Sequence, residues 1–178
     1  MRLFIQPLDQ THRTLFEDFE AEDENVGRDS YKTYLKVNAE ADQRKGNART
    51  YLAIEENDEG KRTLVGFYSL RASSLIKDNG EYDDEKTGEP AIEIYQFAVK
   101  RERQRERFGK KLMQNIIGVA YELSQSIGVM YLLVCSVESS VGFYEKCHFK
   151  KLPGYDKHIP RNDSNSDCVG MYLNLQPK

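Results

Sequence analysis

The densest chemistry in the chain is a run of cations and amides around one glycine: Lys100, Arg101, Arg103, Gln104, Arg105, Arg107, Gly109, Lys110 and Lys111. An apolar run, Ile92 to Val99, precedes it and a long amphipathic pattern follows. Strand, cationic turn and helix in that order make an anion site. The first N–H groups of a helix have no acceptor within it, and the aligned peptide dipoles favour negative charge there. A phosphate would be held well; the plainer reading is a solvated, basic helix start. The histidines His12, His148 and His158 share no metal-ligand spacing, so no metal is expected. Cys135, Cys147 and Cys168 include no C-x-x-C pair and read as small core residues, with a nucleophilic Cys135 as the alternative.

Those residues need elements to hold them. Phe108, Leu112, Ile116, Val119, Leu123 and Ile127 fall at spacings that make one stripe of a helix, with Gly128 as its expected C-cap. Met130 to Cys135 is a continuous apolar run, as in a strand buried on both faces. Upstream, Leu3 to Ile5 makes a short strand before Pro7, and Asp9 or Thr11 can cap a helix through Leu15, Phe16 and Phe19. Tyr31, Tyr34, Leu35 and Val37 mark a second helix ending before Gly46. Tyr51 to Ile54 and Leu64 to Leu70 flank Asn57, Asp58 and Gly60 as an antiparallel hairpin, which Ala91 to Val99 can extend. A short helix is expected from Ser139 to Cys147, and Val169 to Leu175 alternates well enough to close the sheet. The segments 77–90 and 153–167 read as polar loops.

At 178 residues and 39% hydrophobic content, the chain suits one domain with a sizeable core. A net charge of −3 argues against a protein coated in positive charge but leaves room for a local basic groove. Three cysteines, an odd number, suit a reducing compartment better than a disulfide framework, so the cytoplasm is the expected location. The N-terminus lacks a signal-peptide core, and no apolar run approaches the roughly 18 residues of a membrane span.

Three stretches carry a resemblance: the order of elements around Ala91 to Phe149, the segment QRERFGKK, and FYEKCHF. They are similar to the acetyl-CoA-dependent GNAT N-acetyltransferases, whose patterns are Q/R-x-x-G-x-G/A and FYEKxGF. RTYLAI, LVGFYSLRASSL and SVGFYEKCHF further resemble the acetyltransferase toxins of bacterial toxin–antitoxin pairs. The resemblance implies an α/β fold. Its sheet is mixed and mostly antiparallel, with a splayed parallel strand pair and helices on both faces. It implies acetyl-CoA held by Gln104, Arg105, Arg107, Phe108, Gly109 and Lys110, with the backbone of Phe97, Ala98 and Val99 along pantetheine. Tyr144 would protonate the departing thiolate, although it also reads as an aromatic anchor. Glu93 is a general-base candidate or an exposed strand carboxylate, and Arg71 and Ser73 line the acceptor side or a turn. Arg107 and His148 stand where the patterns have glycine, a residue far freer at positive φ.

The acceptor implied is the α-amine of charged tRNA, served by Lys100, Arg101, Arg103, Arg105, Lys110 and Lys111, with Lys150, Lys151, Lys157 and Arg161 as a second patch. A ribbon-helix-helix antitoxin is the partner implied, and a homodimer is compatible with it. Two alternatives stay open: an acetyltransferase for a small or protein amine, and a GNAT fold that only binds acyl-CoA.

Overall fold

The computed structural model describes residues 2–21, 30–76, 88–104, 106–152 and 168–176. It holds one seven-stranded sheet in the order β1-β2-β3-β4-β5-β7-β6. The strands are β1 Arg2–Pro7, β2 Arg49–Glu56, β3 Arg62–Ile76, β4 Gly88–Val99, β5 Tyr131–Ser136, β6 Lys150–Lys151 and β7 Val169–Asn174. The helices are α1 Ser30–Thr33, α2 Ala39–Lys45, α3 Phe108–Ser126 and α4 Val141–Lys146. Strands β4 and β5 run parallel in a sheet that is otherwise mostly antiparallel. This is the α/β architecture that the resemblance implied.

The chain divides into two compact units, the first being Met1–Arg71 with Tyr95–Met113. In it, β1 pairs β2 from Arg2↔Glu56 to Pro7↔Tyr51, and β2 pairs β3 with a bulge between Ala53 and Ile54. The Asn57 carboxamide oxygen accepts from the N–H groups of Glu59 and Lys61, and Gly60 supplies the φ of 77° that closes this hairpin. The helix expected after β1 is a 3₁₀ turn, Gln10–Phe16, with Asp9 as its N-cap and Thr11 N–H as the donor.

The second helix is interrupted. A π-helical turn, Tyr34–Asn38, joins α1 to α2, and α2 ends at Gly46 in the left-handed region. Periodicity alone does not reveal such a turn, since it inserts a residue without changing which types are apolar. The core packs Phe16, Phe19, Tyr34, Leu35, Leu52, Ile54 and Leu64 around Phe67. The Phe67 ring stacks on Tyr34 and meets Phe19 edge-on at 5.6 Å.

The second unit is Ala72–Ile94 with Gln114–Lys178. Four parallel pairs, Ala91↔Tyr131 to Ile94↔Val134, join β4 to β5, and β7 lies antiparallel on the other side of β5. Leu132, Leu133 and Val134 are all buried, as a strand covered on both faces requires. The two-residue strand β6 pairs Lys150↔Tyr172 and Lys151↔Met171; two exposed lysines carry no strand signal.

Three expectations change. Among the described residues only Gly46 and Gly60 of the glycines have positive φ, so Gly128 does not cap α3, which ends at Ser126. The buried stripe of α3 is Phe108, Leu112, Met113, Ile116 and Ala120, while Leu123 and Ile127 stay exposed on the last turn and just beyond it. The third concerns cysteine: Cys135 and Cys168 form a disulfide with Cα atoms 5.5 Å apart, leaving Cys147 as a buried thiol. Spacing could not show this pair, because it is the antiparallel pairing of β5 with β7 that brings residues 33 apart together. The segment 77–90, read as a loop, gives its last three residues to β4, which begins at Gly88; residues 77–87 and the segment 153–167, including Lys157, His158 and Arg161, lie outside the described residues.

Candidate active site

Strand β4 ends at Val99, and a 3₁₀ turn, Arg101–Arg103, leads towards α3. Arg107 is the residue from which the helix starts: its carbonyl accepts the first bond, from Lys111 N–H, and its φ is 60°. The left-handed conformation expected of a glycine is therefore taken by an arginine, at a cost of about 1–2 kcal/mol. Within the helix the N–H groups of Phe108, Gly109 and Lys110 have no acceptor, which leaves three donors aimed out of a 19-residue helix.

A second glycine, not singled out from sequence, fixes where that first turn sits. A Cβ on Gly66 of β3 would lie 3.1 Å from both the Ala98 carbonyl oxygen and Leu112 Cδ2, and 3.4 Å from Phe108. The absence of a side chain lets the first turns of α3 rest on β3 and β4. A glycine inside the β-rich run LVGFYSL is the signal that could have found it. Gln104 folds back, its amide donating to Val99 O at 3.1 Å. Phe97 is half-buried and Ala98 and Val99 are buried. Parallel pairing with β5 stops at Ile94, and β4 runs five residues further to Val99. Lys110 and Arg107 are exposed, and Arg105 lies outside the described residues. Arg103 and Lys100 are among the cations already engaged. Arg103 bonds Glu55 and Glu106, and Lys100, 8% exposed, lies 3.4 Å from Glu102.

On α4, Tyr144 is 6% exposed, with its ring edge-on to Phe143 and Phe149. Its carbonyl accepts from both Cys147 and Phe149 N–H, a helix end made possible by His148 at φ 71°. His148, like Arg107, keeps a glycine-like backbone without glycine. Glu93 is 5% exposed on β4, so it is no solvent-facing strand carboxylate. The Arg71 guanidinium sits 4.2 Å from the Tyr95 ring centroid, and Ser73 is half-buried further along β3. Both lie inside a strand, since β3 continues to Ile76 and does not turn at Leu70. Among the described residues no group of three or more His, Cys, Asp or Glu could hold a metal ion, and no helix is long and apolar enough to cross a membrane.

A strand, a cationic turn and a helix start with outward N–H donors fit a pyrophosphate ester. A family model described as Acetyltransferase (GNAT) family matches residues 9–149. The chain belongs to the GNAT acetyltransferase family. It is thus an acyltransferase of a family that uses acetyl-CoA. Among curated proteins, none matches its sequence.

Solved structures of toxins share the fold. AtaT complexed with acetyl-methionyl-tRNAfMet superposes with a TM-score of 0.73 at 17% identity, over 97% of this chain and 95% of that one. A mutant of KacT gives 0.72 at 16% identity, over 98% and 96%. A Tyr→Phe mutant of AtaT, bound to the C-terminus of the antitoxin AtaR and acetyl-CoA, gives 0.68 at 17% identity, over 98% and 94%.

Proposed function

We propose that this GNAT enzyme acts as one acetyltransferase domain that moves acetyl from acetyl-CoA to the α-amine of an aminoacyl group on charged tRNA, so stopping translation. The observation that carries this reading is the match along nearly the whole chain to a toxin solved with acetyl-methionyl-tRNAfMet. Acetyl-CoA, when bound, supplies an acyl group activated as a thioester.

In this proposal the N–H groups of Phe108, Gly109 and Lys110 hold the pyrophosphate, and the Arg107 guanidinium and Gln104 and Arg105 line the turn. The backbone of Phe97, Ala98 and Val99 orients pantetheine and the acyl carbonyl. Tyr144 gives its hydroxyl proton to the thiolate as the carbon–sulfur bond breaks. Glu93 is the candidate base for the acceptor amine, and Arg71 and Ser73 belong to the acceptor side. Arg101, Lys110 and Lys111 are exposed and suited to tRNA phosphates, with Lys150 and Lys151 as a second patch. The partner in the cell is an antitoxin, with a ribbon-helix-helix protein as the chemical type. The location is the cytoplasm, where glutathione and thioredoxin govern the state of Cys135 and Cys168.

The test incubates purified protein with labelled acetyl-CoA and bulk charged or uncharged tRNA. Label on the aminoacyl group of charged tRNA alone is the expected result. Label only on polyamines, free amino acids or protein would replace the acceptor, and transfer to nothing would leave an acyl-CoA-binding module. Expression of the gene in a bacterial host should arrest growth, and Tyr144→Phe should relieve the arrest.

A further inference from the structure

Arg103 looks, by position, like one more cation for the coenzyme. Its contacts say otherwise. The side chain is 27% exposed, its Nη2 lies 2.5 Å from Glu55 Oε1 on β2, and its Nη1 lies 2.7 Å from Glu106 Oε2. Its guanidinium carbon is 6.0 Å from the ring centroid of Phe108, the first residue of α3. The remaining nitrogen, Nε, is buried and has no hydrogen-bond partner among the described residues. Two of the three nitrogens of Arg103 are therefore taken by carboxylates, one of them the part-buried Glu55.

From this we infer that the Glu55–Arg103–Glu106 bridge is the positioning element of the coenzyme turn, and that Arg103 holds the backbone of Gln104 and of residues 106–108 and does not contact phosphate. One end of the bridge is fixed in the β1-β2-β3 ladder, where Glu55 pairs with Leu3 and Thr63. The other end is Glu106, whose neighbour Arg107 is in the left-handed region. A non-glycine residue stays there only where its surroundings hold it, and the bridge clamps the turn immediately before it. Meanwhile Gly66 sets how closely the first turns of α3 approach the sheet.

Charge makes the inference sharp. Two carboxylates and one guanidinium sum to −1 beside a place that would receive a diphosphate, so the bridge opposes an anion by Coulomb's law and helps it only through geometry. Glu55→Gln removes a negative charge and by electrostatics alone should tighten coenzyme binding. If the bridge positions the turn, the same change weakens binding, because it leaves a part-buried guanidinium without its main partner.

This rests on the coenzyme site proposed above, and the experiment separates the two. Coenzyme A and acetyl-CoA are titrated calorimetrically into the wild type, Glu55→Gln, Arg103→Met, the double variant and Glu106→Gln. No heat with the wild type would remove the coenzyme reading itself. With wild-type binding present, the expected result is roughly tenfold weaker binding for Glu55→Gln and for Arg103→Met, with the double variant no weaker than either single one. The loss should appear in KM for acetyl-CoA more than in kcat. Glu106→Gln, at a more exposed position, should lose two- to threefold by order of magnitude and decides the matter if Glu55→Gln does not fold. Binding by Glu55→Gln as tight as or tighter than the wild type would overturn the inference. So would a lowered melting temperature with unchanged coenzyme affinity, which would make the bridge merely structural.

Discussion

His148→Gly should make this protein more stable. His148 is exposed, has φ 71°, and follows a helix end in which the Tyr144 carbonyl accepts from Cys147 and Phe149 N–H. For an L-residue this conformation costs roughly 1–2 kcal/mol, and the low end suits histidine, which is enriched there. Glycine removes that cost but widens the unfolded ensemble, which returns about 0.4–1 kcal/mol. The net gain is on the order of 0.5 kcal/mol, or about 1–2 °C in melting temperature for a chain of this length.

Gly46 offers the mirror-image control: its φ is 76° and a Cβ there would meet nothing within 4 Å. Gly46→Ala should therefore lose a similar amount through backbone conformation alone. Both variants go through thermal scans and urea titrations beside the wild type. The reasoning fails if Gly46→Ala is destabilised as expected while His148→Gly is neutral or less stable, since the imidazole would then be supplying what offsets its own strain. Acetyl transfer should persist in His148→Gly, because the bonds that hold Tyr144 come from the backbone.

Tyr144→Phe should keep the melting temperature and coenzyme affinity while slowing transfer by something like 10²–10⁴-fold, as lost general-acid help does; a collapsed stability with normal turnover of the surviving protein would make Tyr144 a packing anchor. Gly66→Ala forces a methyl to 3.1 Å from a backbone oxygen that cannot swing aside, so a loss of about 1–3 kcal/mol is expected in urea unfolding, with weaker coenzyme binding as α3 shifts. The Cys135–Cys168 link closes a loop of 33 residues, worth about 3–4 kcal/mol in the chain-entropy view. Reductant should lower the melting temperature by roughly 6–16 °C, and maleimide should label one thiol per denatured chain before reduction and three after it.

Much of the framework was legible because single residues announce it. Asn57 and Gly60 marked a hairpin that closes through those two residues, and the spacing of Phe108, Leu112 and Ile116 marked the buried face of α3. What escaped depends on residues distant in sequence. Glu55 and Arg103 stand 48 residues apart, so their ion pair is invisible until β2 and the turn after β4 are folded. Leu123 and Ile127 continue the periodicity of α3 yet stay exposed, because periodicity reports a face and not what covers it. At Arg107 and His148 the letter departs from the family pattern, yet both residues stand in the left-handed region that glycine enters most freely, which neither residue type announces.

The π-helical turn at Tyr34–Asn38 has a consequence for insertion and deletion. Helices that flank such a turn are out of phase by one residue, and here each side answers to its own partners. Before it, Tyr31 meets the Phe67 ring edge-on at the aromatic core. After it, Glu40 meets Arg13 at 2.5 Å, and Gln43 bonds both Leu8 O and Thr50 N–H. Deleting one residue between 34 and 38 would restore an unbroken four-residue ladder with both faces kept, whereas an unbroken ladder through all the residues present would rotate everything downstream by about 100° and strip one set of partners from the helix. The wide turn thus works as a phase shifter, through which a single helix satisfies two surfaces that no uniform helix could face together.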